Sequence, residues 1–265
     1  MTNCDLKNYG FKESTKFTKL LIDDSTVGAS NINVKMHGFE AKGMDCLEVG
    51  IMPGMFKEID LSVNSTYVPD FSKDNIILGA NYYPAETVVI EEGNKTIDLN
   101  NKTITAPVFI DTDDTTNSYG LWVKGGEVVI TGNGEIVSKD SDYSMAVWAN
   151  GGKVTIKGGI FRNGGDSCDL IYASAGGNVV IEGGEFFPAG PASGTAPGTK
   201  NPYTALNVKD KDFKSGASSI LVKGGKFHNF NPANNLSEGA NTNFVAEGYE
   251  SVEITPNVWE VRIKE

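Results

Sequence analysis

Through the last two-thirds of the chain, apolar and polar residues alternate over three to five positions. The run then breaks at a Gly-Gly or Gly-Asn pair and resumes with another apolar residue. The phrase reads Val-Val-Ile-Thr-Gly-Asn-Gly-Glu-Ile at 128–136, Val-Thr-Ile-Lys-Gly-Gly-Ile-Phe at 154–161, Val-Val-Ile-Glu-Gly-Gly-Glu-Phe at 179–186 and Ile-Leu-Val-Lys-Gly-Gly-Lys-Phe at 220–227. Looser copies are Ile-Asp-Leu-Asn-Asn-Lys-Thr-Ile at 97–104 and Val-Glu-Ile-Thr-Pro-Asn-Val-Trp at 252–259. Aligning them makes Leu99, Ile130, Ile156, Ile181, Val222 and Ile254 equivalent, at steps of 31, 26, 25, 41 and 32 residues. Alternation with period two predicts half-buried strands, and self-similarity at this spacing predicts stacked repeats.

A second short apolar segment precedes most of these phrases: Gly120-Leu-Trp-Val-Lys, Met145-Ala-Val-Trp-Ala, Leu170-Ile-Tyr-Ala, Thr204-Ala-Leu-Asn-Val and Phe244-Val-Ala. Each unit then reads strand, turn, strand, Gly-Gly corner, strand. No helical stripe of ten or more residues interrupts 86–265. The predicted fold is all-β: a right-handed single-stranded parallel β-helix of about six coils, preceded by a small antiparallel β domain. At the usual strand spacing such a stack is ~25–30 Å long. The glycines suit corners where backbone with positive φ would clash with a Cβ.

The first 85 residues follow another rhythm. Period-two stretches at Ile32, Val34 and Met36, at Leu47, Val49 and Ile51, and at Ile59, Leu61 and Val63 are separated by turn residues, as in antiparallel hairpins. Residues 11–22 fit a strand or a short helix equally. The expected organisation is an attachment domain over 1–63, a connector over 64–85 and the repeats over 86–265. The unusually apolar turn at 50–56 makes Ile51, Met52, Met55 and Phe56 a candidate docking patch, with core filling as the plainer alternative.

Composition narrows the function. A formal charge of −11 opposes binding to nucleic acid, whose phosphates would be repelled. No apolar run of about 18 residues is present to span a bilayer, and the first residues read as no signal peptide. The three cysteines, Cys4, Cys46 and Cys168, make neither a disulfide framework nor a metal quartet. No cofactor is implied.

Candidate chemistry is thin. A lyase needs carboxylates that bind a cation beside a basic residue, yet the only arginines are Arg162 and Arg262. Glycoside hydrolysis needs two carboxyl groups across one bond. The densest acidic group, Asp111-Thr-Asp-Asp114, sits in a Thr- and Asn-rich stretch that reads first as a solvated turn and second as a cation site. Asp166-Ser-Cys-Asp169 lies far in sequence from both histidines, His37 and His228. The expectation is that the protein is not an enzyme. Trp122, Trp148 and Tyr172 recur at steps of 26 and 24, which predicts an aromatic ladder on one face that either fills the core or forms a subunit seam. Phe187 and Tyr203 bracket a Pro-rich insertion and are further candidate outer-face contacts. The stretch from Asn229 to Leu236 reads as a surface excursion.

The phrases at 128–136, 153–161 and 178–186 resemble the β-helical part of bacteriophage fibre and head-fibre (capsid decoration) proteins, particularly those of phages of gut Bacteroidales, including crAss-like phages. The likeness covers about residues 86–265, and residues 1–85 match no known attachment domain. The resemblance implies a non-enzymatic virion structural protein, assembled in the bacterial cytoplasm. It implies a homo-oligomer, with a trimer as the expected number, and a capsid or other virion protein as partner. Glycans of the host or mucosa are a further partner it suggests. The alternatives are a tail-fibre or tailspike receptor-binding protein and a β-helical polysaccharide lyase or adhesin.

Overall fold

The structure, a computed structural model of the 265-residue chain, describes residues 67–164, 169–189 and 204–265 in full. Of residues 1–66 it describes the backbone of strands at Cys4–Asp5, Lys19–Asp23, Ile32–Ala41, Met44–Ile51 and Phe56–Asp60. The chain divides into two compact units, Met1–Tyr67 and Val68–Glu265.

In the first unit, Ile32–Ala41 pairs antiparallel with Met44–Ile51, the hairpin that the period-two pattern and the Lys42-Gly43 turn predict. Cys4–Asp5 adds to it in parallel. Phe56–Asp60 pairs antiparallel with Lys19–Asp23, so the ambiguous 11–22 stretch ends in a strand. Met52 and Met55 lie outside the described residues, as do the side chains of Ile51 and Phe56.

The second unit is nearly all-β, and three sheets take its strands in rotation. The first sheet receives Thr116–Val123, Tyr143–Asn150, Asp169–Ser174 and Thr204–Val208. The second receives Glu127–Thr131, Lys153–Ile156, Asn178–Ile181 and Ser219–Val222. The third receives Glu135–Val137, Ile160–Arg162, Glu185–Phe187 and Lys226–His228. Every pairing among these strands is parallel, and each strand pairs with its counterpart one rotation earlier or later.

Register follows from burial. Ile130 sits opposite Ile156, Ile156 opposite Ile181 and Ile181 opposite Val222, and all four are fully buried. A one-residue slip would turn each of them to solvent and bring Val129, Thr155 and Val180 inward, so the alternation fixes the alignment. On the third sheet Phe161, Phe186 and Phe227 are also fully buried, with adjacent rings stacked at centroid distances of 5.1 and 4.6 Å. Burying each phenyl contributes about 2–3 kcal/mol.

The two glycines of each doublet have different duties. Gly184 and Gly225 hold φ of 97° and 102°, backbone that L side chains avoid. A Cβ at Gly224 would strike the carbonyl oxygen of Glu182, in the corner one repeat earlier. The corners therefore need one residue that bends and one that lets backbones touch.

Several expected alignments shift. Ile97, not Leu99, sits opposite Ile130, and Leu99 is buried just past the strand. In an alternating strand a two-residue slip leaves the same face inward, so the pattern cannot separate the two choices. Ile254 belongs to no parallel repeat. Tyr249–Thr255 and Val258–Ile263 form an antiparallel hairpin about the two-residue turn Pro256-Asn257; its second strand pairs antiparallel with Lys226–His228, so its first strand ends the third sheet. Asn257 supplies positive φ there, at 61°. Phe244–Ala246 does not extend the first sheet either; Val245 bridges in parallel to Val222 of the second. The span expected as a connector is, from Val68 on, part of the second unit: Asn75–Ile77 pairs in parallel with Asn94–Asp98, and Ile76 and Leu78 are buried.

Candidate functional site

The outward side of the first sheet carries the most distinctive side chains. Leu121 and Val123 point into the core, so Trp122 between them points out, and the same alternation sends Trp148 and Tyr172 out. Parallel register then lines up Val89, Trp122, Trp148, Tyr172 and Asn207 across neighbouring strands. Trp122 and Trp148 stack 4.6 Å apart with planes at 1°, and Trp148 meets Tyr172 at 6.1 Å. Tyr119 sets its edge against both indoles, and Phe109 sets its own against Tyr119. The expected ladder exists, and its three members are half-buried.

Stacking along the sheet has a chemical consequence. The indole faces are spent on each other, and the Lys124 ammonium lies 4.2 Å from the centre of the Trp122 ring. What remains for a visitor is ring edge, next to exposed Val89 on the neighbouring strand. Trp148 Nε1 donates to Ser174 Oγ at 2.8 Å. Trp122 Nε1 is buried with no acceptor among the described residues.

Phe187 occupies a different surface. It stands on the outer side of the third sheet, with the Arg162 guanidinium 3.7 Å from its ring centre and the His228 imidazole stacked at 3.9 Å. Arg162 Nε donates to Glu135 at 2.5 Å, and His228 Nε2 lies 2.7 Å from Glu185 Oε1. Arg162 and His228 are thus tied into one cross-strand network around Phe187, and Arg262 Nε donates separately to Glu250. Tyr203, the remaining outer-face candidate, lies outside the described residues, as do Asp166 and Cys168.

The Asp111 group is likewise committed to its own loop. Asp111 Oδ1 accepts the backbone N–H groups of Asp113 and Thr115, and Oδ2 accepts from Asn117 Nδ2. Those hydrogen bonds, the one from Asn117 foremost, hold its carboxyl below the usual carboxylate range. This closes the turn between Phe109–Ile110 and Thr116–Asn117, which pair antiparallel. Nearby Asp142 accepts both the hydroxyl and the N–H of Thr116. Among the described residues, no group of three or more His, Cys, Asp or Glu side chains is arranged to hold a metal ion.

A second concentration of carboxylates went unforeseen in the sequence. Asp169 is 6% exposed at the start of its strand, and its Oδ1 accepts from Thr204 Oγ1 at 2.6 Å and Asn207 Nδ2 at 2.9 Å. Burial pushes its carboxyl up to about 6 against those two hydrogen bonds. Glu238, on the loop between Lys226–His228 and the terminal hairpin, accepts the Val208 N–H at 2.6 Å and is also raised, chiefly by burial. Tyr172 stands beside both, its phenol raised first by burial and then by Asp169, Glu238, Asp212 and Asp210. Asp169 and Glu238 lie far apart in sequence and in unrelated phrases, so only the fold brings them together.

Compared with family models, curated proteins and solved structures, the chain matches none.

Proposed function

We propose that residues 68–265 form a right-handed single-stranded parallel β-helix whose work is structural and adhesive rather than catalytic. The three-sheet rotation with parallel register supports the β-helix, since each rotation is one coil. The function is to self-associate through the first face, as a subunit of a homo-oligomeric phage head fibre or capsid decoration. The virion assignment, with a capsid protein as the further partner, rests on the resemblance of the Gly-Gly phrases; a trimer rests on it too.

One observation carries the reading: a continuous, half-exposed aromatic column from Trp122 to Tyr172, extended by Val89 in register with Trp122. A contiguous apolar patch of this kind marks an interaction surface. Because the ring faces are stacked on one another, their edges suit packing against a second protein surface better than the face-on stacking that sugar rings prefer. The networks holding Arg162, His228 and Asp111 favour a structural role for groups that an enzyme would leave free for substrate.

Sedimentation velocity of the full chain tests the reading. The wild type is expected to sediment as an oligomer, and a Trp148→Ser, Tyr172→Ser variant with unchanged far-UV circular dichroism is expected to fall to monomer. A wild type that is monomeric at every concentration removes the seam. Release of reducing or unsaturated ends from glycans that vanishes in Arg162→Ala would replace the structural role with a catalytic one.

A further inference from the structure

Among the described residues, Thr204–Val208 is the last strand of the first sheet and pairs only with Asp169–Ser174. A strand in that position leaves backbone groups open to pairing with another chain unless they are covered. Two carboxylates from opposite sides grip it. Asp169, on the preceding strand, holds the Thr204 hydroxyl and the Asn207 amide. Glu238, on the loop between Lys226–His228 and the terminal hairpin, takes the Val208 N–H, a group that a further strand would otherwise bind.

The loop bearing Glu238 is itself a built object. Asn235 Nδ2 donates to the carbonyls of Asn231, Pro232 and Thr242, and Asn235 pairs with Thr242 in a short antiparallel bridge. Glu238 N–H donates to Thr242 Oγ1. Phe230, Phe244 and Ala246 are buried, and Phe244 and Ala246 bond to both backbone groups of Val222. The stretch from Asn229 to Leu236, read in the sequence as a surface excursion, is pinned by buried Phe230 and Pro232.

We propose that Glu238 is a proton-operated latch that holds residues 229–246 over the open edge of Thr204–Val208, with Asp169 as the carboxyl whose charge works against it, tightening in acid and loosening as the pH rises.

The charges facing the latch explain the direction. The short helix Asp210–Ser215 contributes Asp210, Asp212 and Lys214, and the Asp169 strand contributes Tyr172. Lys214 is the one cation acting on Glu238, and it is shared with Asp210 at 3.7 Å. Asp212 is engaged by the Ala175 N–H and the Ser218 hydroxyl. Negative charge therefore predominates, and Asp169 is buried while Glu238 is half-buried. Closed, Glu238 holds a proton more tightly than it would in an opened, solvated loop. Proton uptake must then favour the closed form by linkage. Asp169, raised by burial to about 6, adds its negative charge against Glu238 as it ionises. A protonated Glu238 keeps a carbonyl oxygen for the Val208 N–H, so neutralisation removes repulsion without removing the bond.

Amide hydrogen exchange on the full chain, at about pH 5 and about pH 7.5 and corrected for intrinsic rates, tests the latch. Protection over 204–208 and 229–246 should be about tenfold higher at the lower pH, while Lys153–Ile156 stays unchanged. In an Asp169→Asn, Glu238→Gln variant the two segments should keep the acid level of protection at both pH values. Wild-type protection that is flat or rises with pH overturns the latch, as does a variant that retains the full pH dependence. If the double variant fails to fold, carboxyl carbon resonances of the wild type decide. Titration of Asp169 and Glu238 above the ordinary carboxylate range supports the latch, and titration within that range sinks it.

Discussion

Trp122 and Trp148 occupy directly opposed positions on neighbouring parallel strands, their indole planes 1° apart and their centroids 4.6 Å apart. The ring spacing is close to the strand spacing itself, so the stack and the hydrogen-bond ladder reinforce one register. Replacing either indole with Ala should cost about 1–3 kcal/mol, less than a fully buried ring because both are half-exposed. A double-mutant cycle by chemical denaturation should return a coupling of about 0.5–1.5 kcal/mol. Strict additivity of the two truncations would show that the rings are neighbours without being partners.

Phe186 lies between Phe161 and Phe227 inside the third sheet, stacked on both and fully buried. Phe186→Ala should remove both contacts and leave a cavity, at about 3–5 kcal/mol. Phe186→Leu should recover a large part of that, because the site needs volume as well as ring geometry. The checks are denaturant midpoints of the two variants. Equal losses for Ala and Leu would mean that stacking, rather than filled volume, dominates.

Glycine corners should divide by what surrounds them. Gly224→Ala drives a Cβ into the Glu182 carbonyl, and Gly184→Ala combines a φ of 97° with a Gly159 carbonyl 3.1 Å away. Each should destabilise by at least about 1–2 kcal/mol. Gly176 has a φ of 89° but open space around it. Gly176→Asn should be much milder, since Asn tolerates left-handed backbone. Thermal melts of the three variants should separate the first two from the third.

These corners were the part of the fold most legible in the sequence. The alternation around Ile130, Ile156, Ile181 and Val222 gives the correct register because burial rewards only one face. It misplaces Leu99 for Ile97 because a two-residue slip conserves that face. It misassigns Ile254 although Pro256-Asn257 between two alternating runs is a hairpin signal in its own right. The aromatic column was visible as a recurrence of Trp and Tyr, yet its stacking angle, which turns ring edges outward, is a property of packing. Asp169 and Glu238 carry no local signature. Their meeting depends on how the 229–246 loop packs, with Phe230 and Phe244 buried, which no local phrase announces.

Asp169 gives the sharpest pH dependence. Its folded-state carboxyl is raised from 3.8 to about 6 by burial, opposed by the hydrogen bonds from Thr204 and Asn207. Between those values the folded protein binds a proton that the unfolded chain releases, so stability falls as pH rises through the interval. Below it the group is neutral in both states and costs nothing. Above about 6 the folded state carries a buried charge, at a cost on the order of 3 kcal/mol. Asp169→Asn keeps a carbonyl oxygen for the Thr204 hydroxyl and the Asn207 amide but cannot ionise. It should therefore match the wild type at about pH 4 and exceed it at about pH 7.5, with the gap opening between. Denaturant unfolding of both proteins across that range reads the gap directly. A variant less stable than the wild type at the higher pH would mean that the charged carboxylate strengthens its two hydrogen bonds by more than burial costs it.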